Sequence, residues 1–466
     1  MKQTRYAILA AAAAALIVAT PSAMAKDAKV DARQSAQALD ILKRSVAFKT
    51  VAGQGQVPAY AAYLADVLKA AGFAADDIQI ERRGETATLI ARYRGADASK
   101  KPILLAGHMD VVEAKAEDWA RDPFTPVAEN GYLYGRGVED NKFDVSMMVA
   151  TLARLKREGF KPGRDIILAL SGDEETDMVT TRALAAELKG AELLLNGDAG
   201  GGMLGEDGKP MFYGLQAGEK TYADFEIGFT NPGGHSSRPT KKNAIYQLAQ
   251  ATSQIGAYQF PVQANELTRA SLRAASAQTP GEIGQAMKRF ADNPADTEAA
   301  AVLSADPEWI GQVRTTCVAT MMNAGHARNA LPQSATLSVN CRIFPGVSID
   351  SVKQKLTEVV ADPEAKITVV GDPTSSDASP LRADVMAAIR KAIDARQPGL
   401  PIVPSMSAGA TDSLHFRAVG VPSYGVAGLF MKPSDAYAHG LNERIPLAAI
   451  DGALVQWHIL LKELAK

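Results

Sequence analysis

The sequence predicts an α/β fold: a mixed, largely parallel sheet flanked by helices, interrupted by an inserted α+β domain. Three observations predict it. The apolar runs Pro102-Ile103-Leu104-Leu105-Ala106, Ile166-Ile167-Leu168-Ala169-Leu170 and Leu193-Leu194-Leu195 have the unbroken hydrophobicity of strands buried on both faces. Between the first two, Val145, Met148, Val149, Leu152 and Leu155 recur at helical spacing, and Gly159 ends that helix. Strand and helix alternating in this way build α/β sheets. From about residue 217 to 375 the texture changes. Residues 222–230 alternate as YADFEIGFT, and 242–308 form an Ala-, Gln- and Glu-rich, largely helical stretch.

Taken in order, the chain of 466 residues has room for two or three domains. Residues 1–25 read as a cleaved signal peptide. Lys2 and Arg5 supply the positive start, 7–18 an apolar stretch too short to span a membrane comfortably, and Ala23-Met24-Ala25 a small-x-small cleavage site. That pattern predicts export, to the periplasm in a bacterium. Helices are expected at 35–48 and 60–71, then the alternating strands and helices, so that 26–216 form the first part of the α/β domain. The inserted α+β domain covers 217–375. The α/β pattern resumes over 376–466, with a helix at 383–396, a strand at 422–426 and a terminal helix from Leu447.

Fifty basic against 52 acidic residues, a net charge of -2, give no electrostatic footprint for nucleic acid or an anionic membrane. No G-x-S-x-G elbow and no G-x-x-x-x-G-K-[ST] loop occurs, which argues against a serine hydrolase and a nucleotide-dependent enzyme. Cys317 and Cys341 each sit in a strand-like run. Two readings stand for them: a disulfide in an oxidising compartment, or a pair of buried thiols.

The chemistry is concentrated in short motifs: GHMDVV, GRGVEDNK, SGDEET, NGDAG and AHGLNE. They carry His108, Asp140, Glu175, Asp198 and His439. Imidazole and carboxylate without thiolate is the donor set of hydrolytic zinc, cobalt or manganese sites, and one bridging carboxylate lets these side chains hold two ions. Each motif has a bland alternative: a common surface His-x-Asp pair for GHMDVV, a solvated turn for SGDEET, a helix N-cap for Asp140 or Asp144, an Asx turn for Asp198, an ordinary surface loop for His439. Their joint occurrence favours a site, because three of the motifs follow buried strands and ligands in open α/β sheets collect beyond the carboxyl ends of strands. Adjacent Glu174 and Glu175 can divide the work, one binding metal and one accepting a proton from water.

These motifs, with WARDPFTP, GGHSSRP, NALPQSATLSVNCR and the final H-x-x-N-E, resemble the dinuclear-zinc amidohydrolases that include carboxypeptidase G, acetylornithine deacetylase, succinyl-diaminopimelate desuccinylase and aminoacylases. The likeness covers nearly all of the mature chain. It implies a zinc-exopeptidase-like catalytic domain with an inserted lid and dimerisation domain. By the same likeness, Asp140 bridges two metals, His108 and Asp198 complete one site, and Glu175 and His439 the other. Glu174 is then the general base and Asp110 orients His108. His235 reaches an active site, usually across a dimer, to stabilise the oxyanion, while Asn329 and Arg342 hold the carboxylate side of the substrate. The implied activity is cleavage of small peptides with a free C-terminal carboxylate, with N-acyl amino acids as the alternative and a non-catalytic metal-dependent binding protein as a different class. A homodimer is expected.

The chain departs from the family pattern in SAGATDS, where Ala410 stands in place of a common glycine, and in the helical enlargement of the lid. His326, His415 and His458 have no comparable context and read as structural.

Overall fold

The structure, a computed structural model, describes residues 29–466, and the expected signal peptide lies outside the described residues. The three unbroken apolar runs are the strands Ile103–His108, Ile166–Ser171 and Leu193–Asn196, buried at every position. They sit side by side in a ten-stranded sheet. Its order is Ile78–Arg83, Thr86–Tyr93, Ile166–Ser171, Ile103–His108, Leu193–Asn196, Ser423–Gly425, Pro210–Glu219, Gly201–Leu204, Phe430–Met431, with Ile402–Ser407 branching off Pro210–Glu219. The run from Ile166–Ser171 through Ile103–His108 and Leu193–Asn196 to Ser423–Gly425 is parallel. Thr86–Tyr93 pairs antiparallel with both its neighbours, and Pro210–Glu219 antiparallel with Ser423–Gly425 and Gly201–Leu204, so the sheet is mixed and largely parallel. Helices Ala32–Ala47, Val57–Ala70, Lys142–Arg157, Ala383–Arg396 and Ala449–Leu464 cover one face with a continuous core that includes Trp457, Phe143 and Tyr424. Helices Val179–Glu187 and Ser413–Ala418 cover part of the other through Leu184 and Phe416.

The inserted segment forms a four-stranded antiparallel sheet, ordered Thr316–Ala324, Ser334–Ile343, Thr221–Thr230, Lys366–Val370. Period-two alternation buries Phe225, Ile227 and Phe229 against helices Ala244–Ala257 and Ile349–Val360. Cys317 faces Cys341 on neighbouring strands, and the two are joined in a disulfide. The helical enlargement is shared between the two sheets. Helices Glu266–Ser276, Gly281–Asp292 and Thr297–Ala305 have their own small core, but Leu267 packs into the core of the ten-stranded sheet. The helical stretch between lid strands Thr221–Thr230 and Thr316–Ala324 is thus also a buttress for the α/β domain. Among the described residues, no helix is long and apolar enough to cross a membrane.

Candidate metal centre

His108, Glu175 and Asp198 stand at or just past the carboxyl ends of three buried strands, while Asp140 lies in the turn before helix Lys142–Arg157 and His439 in the loop before strand Arg444–Pro446. Gly107 precedes His108 because a side chain there would strike Asn141 Oδ1, 2.4 Å from where its Cβ would lie. Gly197 precedes Asp198 because its Cβ would meet that of Asp144 at 2.7 Å. The loops can therefore close on one another.

Five of the expected residues converge. His108 Nε2 lies 2.8 Å from Asp140 Oδ1 and 3.4 Å from Asp198 Oδ1. His439 Nε2 lies 3.1 Å from Asp140 Oδ2 and 3.0 Å from Glu175 Oε1. Asp140 thus offers one oxygen to each group. The triads His108/Asp140/Asp198 and Asp140/Glu175/His439 each bring their donor atoms within 4.8 Å of one another. Glu174 stands beside them, forming a similar group with His108 and Glu175. His439 is held at φ 62°, a left-handed conformation rare outside glycine. Its carbonyl accepts Arg136 Nη2 at 3.2 Å, which fixes the loop that carries it.

The electrostatics fit divalent cations. Burial pushes Asp198 well above the usual carboxylate range, against the pull of His108. Burial likewise drives Glu174 up to about 10, with Asp198, Asp412 and Glu175 adding to it. Burial opposes protonation of His108, but Asp198, Asp110 and Asp140 outweigh it and raise that histidine well above normal. His439 is raised to about 10 by its hydrogen bonds to Asp140 and Glu175. A buried acid-rich cluster with imidazoles at its two ends needs compensating positive charge, and hard or borderline cations suit the N and O donors.

Asp110 does more than orient His108. Nδ1 of His108 donates to the main-chain carbonyl of Asp110 at 3.0 Å, while the Asp110 carboxylate, 3.6 Å from that nitrogen, accepts the backbone N–H groups of Glu174 and Glu175 at 3.1 and 2.9 Å. One residue therefore sets the ring of His108 and the placement of the glutamate pair.

The lid residues stand apart from the cluster. His235 is exposed on the short strand Gly234–His235, with Nδ1 2.7 Å from Ser237 Oγ. Asn329 is exposed, its carbonyl accepting the Ser236 N–H at 3.0 Å. Arg342 lies on the inner strand Ser334–Ile343 of the lid sheet. It stacks 4.7 Å over Tyr222 and donates to the carbonyl of Ala408 at 3.0 Å, in the SAGATDS loop.

Two buried acids without an expected role complete the centre. Glu443, the last residue of H-x-x-N-E, accepts from Arg136 and from the backbone of the Asp140 loop. Asp412 accepts from Ser171 Oγ at 2.9 Å and Thr181 Oγ1 at 2.5 Å, adding negative potential behind Glu174. Both sat inside quoted motifs; only their long-range partners reveal what they do.

The sequence pattern described as Peptidase family M20/M25/M40 matches residues 104–463. The chain belongs to that family. Amide hydrolysis at a two-metal centre is the chemistry this membership brings. The M20 chain is 28% identical over 366 residues to the N-fatty-acyl-amino acid synthase/hydrolase PM20D1.1 of Danio rerio, covering 76% of this chain and 70% of that protein. It is 28% identical over 385 residues to the probable carboxypeptidase S-like 2 of Dictyostelium discoideum, covering 77% and 71%. Its fold matches the M20 family metallo-carboxypeptidase Sso-CP2 of Sulfolobus solfataricus at a TM-score of 0.66 and 18% identity, over 91% of this chain and 98% of that one. The Bacillus subtilis YXEP protein, a dinuclear metal binding peptidase, matches at 0.59 and 13% identity, over 93% and 99%.

Proposed function

We propose that this M20 chain is an exported, zinc-dependent hydrolase of amide bonds in small substrates that end in a free carboxylate. A carboxypeptidase or dipeptidase is the first reading. Hydrolysis of N-acyl amino acids is the second, favoured by the relatives whose names carry that activity. The observation that carries the proposal is Asp140, whose two oxygens face two histidines with Glu174 alongside.

His108, Asp140 and Asp198 would hold one cation, and Asp140, Glu175 and His439 the other. Bound there, the pair supplies a water of lowered pKa and a polarised scissile carbonyl. Glu174 removes the water proton and delivers it to the leaving amine. Asp110 keeps Glu174 in place through its backbone N–H. Arg342 positions the substrate carboxylate with a planar guanidinium suited to bidentate pairing, and Asn329 assists from the lid. His235, exposed on its own lid, acts in a homodimer on the neighbouring centre, where one oxyanion donor is worth roughly 3 kcal/mol. A non-catalytic binding protein would have no use for a free base beside two ligand sets, and Glu174 speaks against it.

A panel of dipeptides, longer peptides and N-acyl amino acids, assayed with and without chelator, tests the proposal. Chelator-sensitive release of a C-terminal amino acid is expected. Activity that survives complete metal removal would defeat it.

A further inference from the structure

The cavity that reaches Asp140 and Asp198, about 520 Å³, continues past them along the strand Pro210–Glu219. Three reference points fall in line on that strand. At one end Glu219 pairs with Ser407, next to the Ala408 carbonyl that Arg342 grips. In the middle Gln216 is level with Asn196, since Gly425 pairs with both, and Asp198 follows Asn196 by two residues. Beyond it, Gly214 and then Phe212 line the same cavity, as period-two alternation requires. Gln216 to Phe212 spans about 13 Å at ~3.3 Å per residue.

The far end is apolar across three strands. Phe212 pairs with Met203 and Met203 with Met431, and Leu429 closes the side. Between this end and the metal ligands, the paired residues Gly214 and Gly201 carry no side chain. A Cβ on Gly214 would meet nothing closer than 3.5 Å, so backbone crowding does not account for the glycine there. Its effect is to leave the passage open. The Phe212–Met203–Met431 row itself carries no carboxylate to hold a peptide ammonium. The one basic side chain lining the cavity is Lys432; of its four carboxylates Asp140 and Asp198 belong to the metal cluster, Glu139 accepts the Tyr437 N–H, and Asp144 accepts from Gly428 and Trp457.

We propose that this arm takes the hydrocarbon chain of an N-acyl amino acid, with Gly214 and the Phe212–Met203–Met431 row setting the chain length accepted. The inference rests on the amide-hydrolase reading above and chooses within it. The amide C–N bond breaks. Water supplies hydroxide to the acyl carbon and a proton to the amine nitrogen, releasing a fatty acid and a free amino acid.

The test compares N-acetyl, N-octanoyl and N-dodecanoyl derivatives of one amino acid, with a dipeptide alongside, on the metal-loaded protein. kcat/KM should rise about tenfold or more from N-acetyl to N-dodecanoyl as methylenes leave water. Gly214→Leu should cut the dodecanoyl-to-acetyl ratio by about tenfold, and Met203→Lys, which puts charge in the arm, should lower the same ratio. Because the readout is a ratio within each variant, partial loss of folded protein does not mimic it. A chain-length profile that is flat, or that both variants leave intact, overturns the inference. Dipeptide cleavage without any N-acyl cleavage also overturns it and leaves the amide-hydrolase reading standing, whereas no cleavage of any amide defeats both.

Discussion

Glu443 holds Asp140 by its backbone: Oε1 of Glu443 accepts the Asp140 N–H at 3.2 Å across 303 residues of chain. The same buried carboxylate accepts the N–H groups of Glu139 and Gly137 at 2.8 and 2.9 Å and Arg136 Nη1 at 2.6 Å. The loop that presents the shared carboxylate of the metal centre is therefore shaped by the residue four past His439. Glu443→Ala leaves Arg136 charged and buried without its partner, a change that destabilises by about 3–5 kcal/mol. It should also weaken metal binding by roughly 10–100-fold, as loss of outer-shell support does. Denaturation curves and metal titration check both. Unchanged metal affinity in the folded variant would remove Glu443 from the support of the site.

Glu174 is buried beside the ligands but is not needed to complete either metal triad. Glu174→Gln keeps its size and removes its basicity. Turnover should fall by roughly 10²–10⁴-fold while metal content stays close to wild type. Steady-state kinetics on protein of measured metal content decides this; a fully loaded variant with near-normal kcat would assign the proton transfer elsewhere.

Metal removal should abolish hydrolysis and lower stability together, because the ligands come from five separate segments of the chain that the ions would tie. Free ion at about 100 times its Kd stabilises the folded state by about 2.7 kcal/mol. Thermal melts at increasing zinc, on chelated protein, should rise with concentration. A melting temperature indifferent to zinc would count against a preformed site.

His415 gives a pH dependence of known sign. Burial, helped by the charge of Arg182, lowers its pKa from 6.5 to about 4. In the fold it stays neutral where the unfolded chain takes up a proton. Its contribution to stability is therefore full above pH 6.5 and is lost as the pH falls toward 4, by about 3 kcal/mol in all. His415→Gln should show a shallower loss of stability over that window. Parallel acid-unfolding curves for the two proteins would refute the assignment.

The Cys317–Cys341 disulfide ties the outermost strand of the lid sheet to its neighbour, enclosing a loop of 24 residues. Replacing both cysteines by alanine should lower stability by about 3 kcal/mol, chiefly by freeing the unfolded chain. Urea denaturation of the double variant against oxidised wild type measures it, and equal midpoints would show that the bridge adds nothing.

What could be read from the chain follows from burial. Strands covered on both faces must be apolar at every position, so Ile103–His108, Ile166–Ser171 and Leu193–Asn196 announce themselves as unbroken runs. Helices with one buried face announce themselves by spacing, and Ala383–Arg396 has the expected limits. His108, Glu175 and Asp198 were legible because His and acidic residues at the ends of such strands have few structural reasons to be there, whereas Asp140 and His439 follow no buried strand and were legible only by occurring with the others. Asp412 and Glu443 carried no such signal. A buried acid is recognised by its partners, and these lie 231 to 307 residues away.

The sequence by itself determined the fold class, the family and the residues able to bind metal, because periodicity and residue chemistry are local properties. Only the tertiary structure decided that Asp140 faces both histidines, that Asp110 sets the glutamate pair through its carboxylate, and that the two cysteines are bridged. It also placed the Ser407–Ala408 segment that Arg342 grips, the level of Asn196 and the Phe212–Met203 pair along one strand. Each of these is a distance between side chains on different strands and loops, and such distances exist only once the sheets have paired.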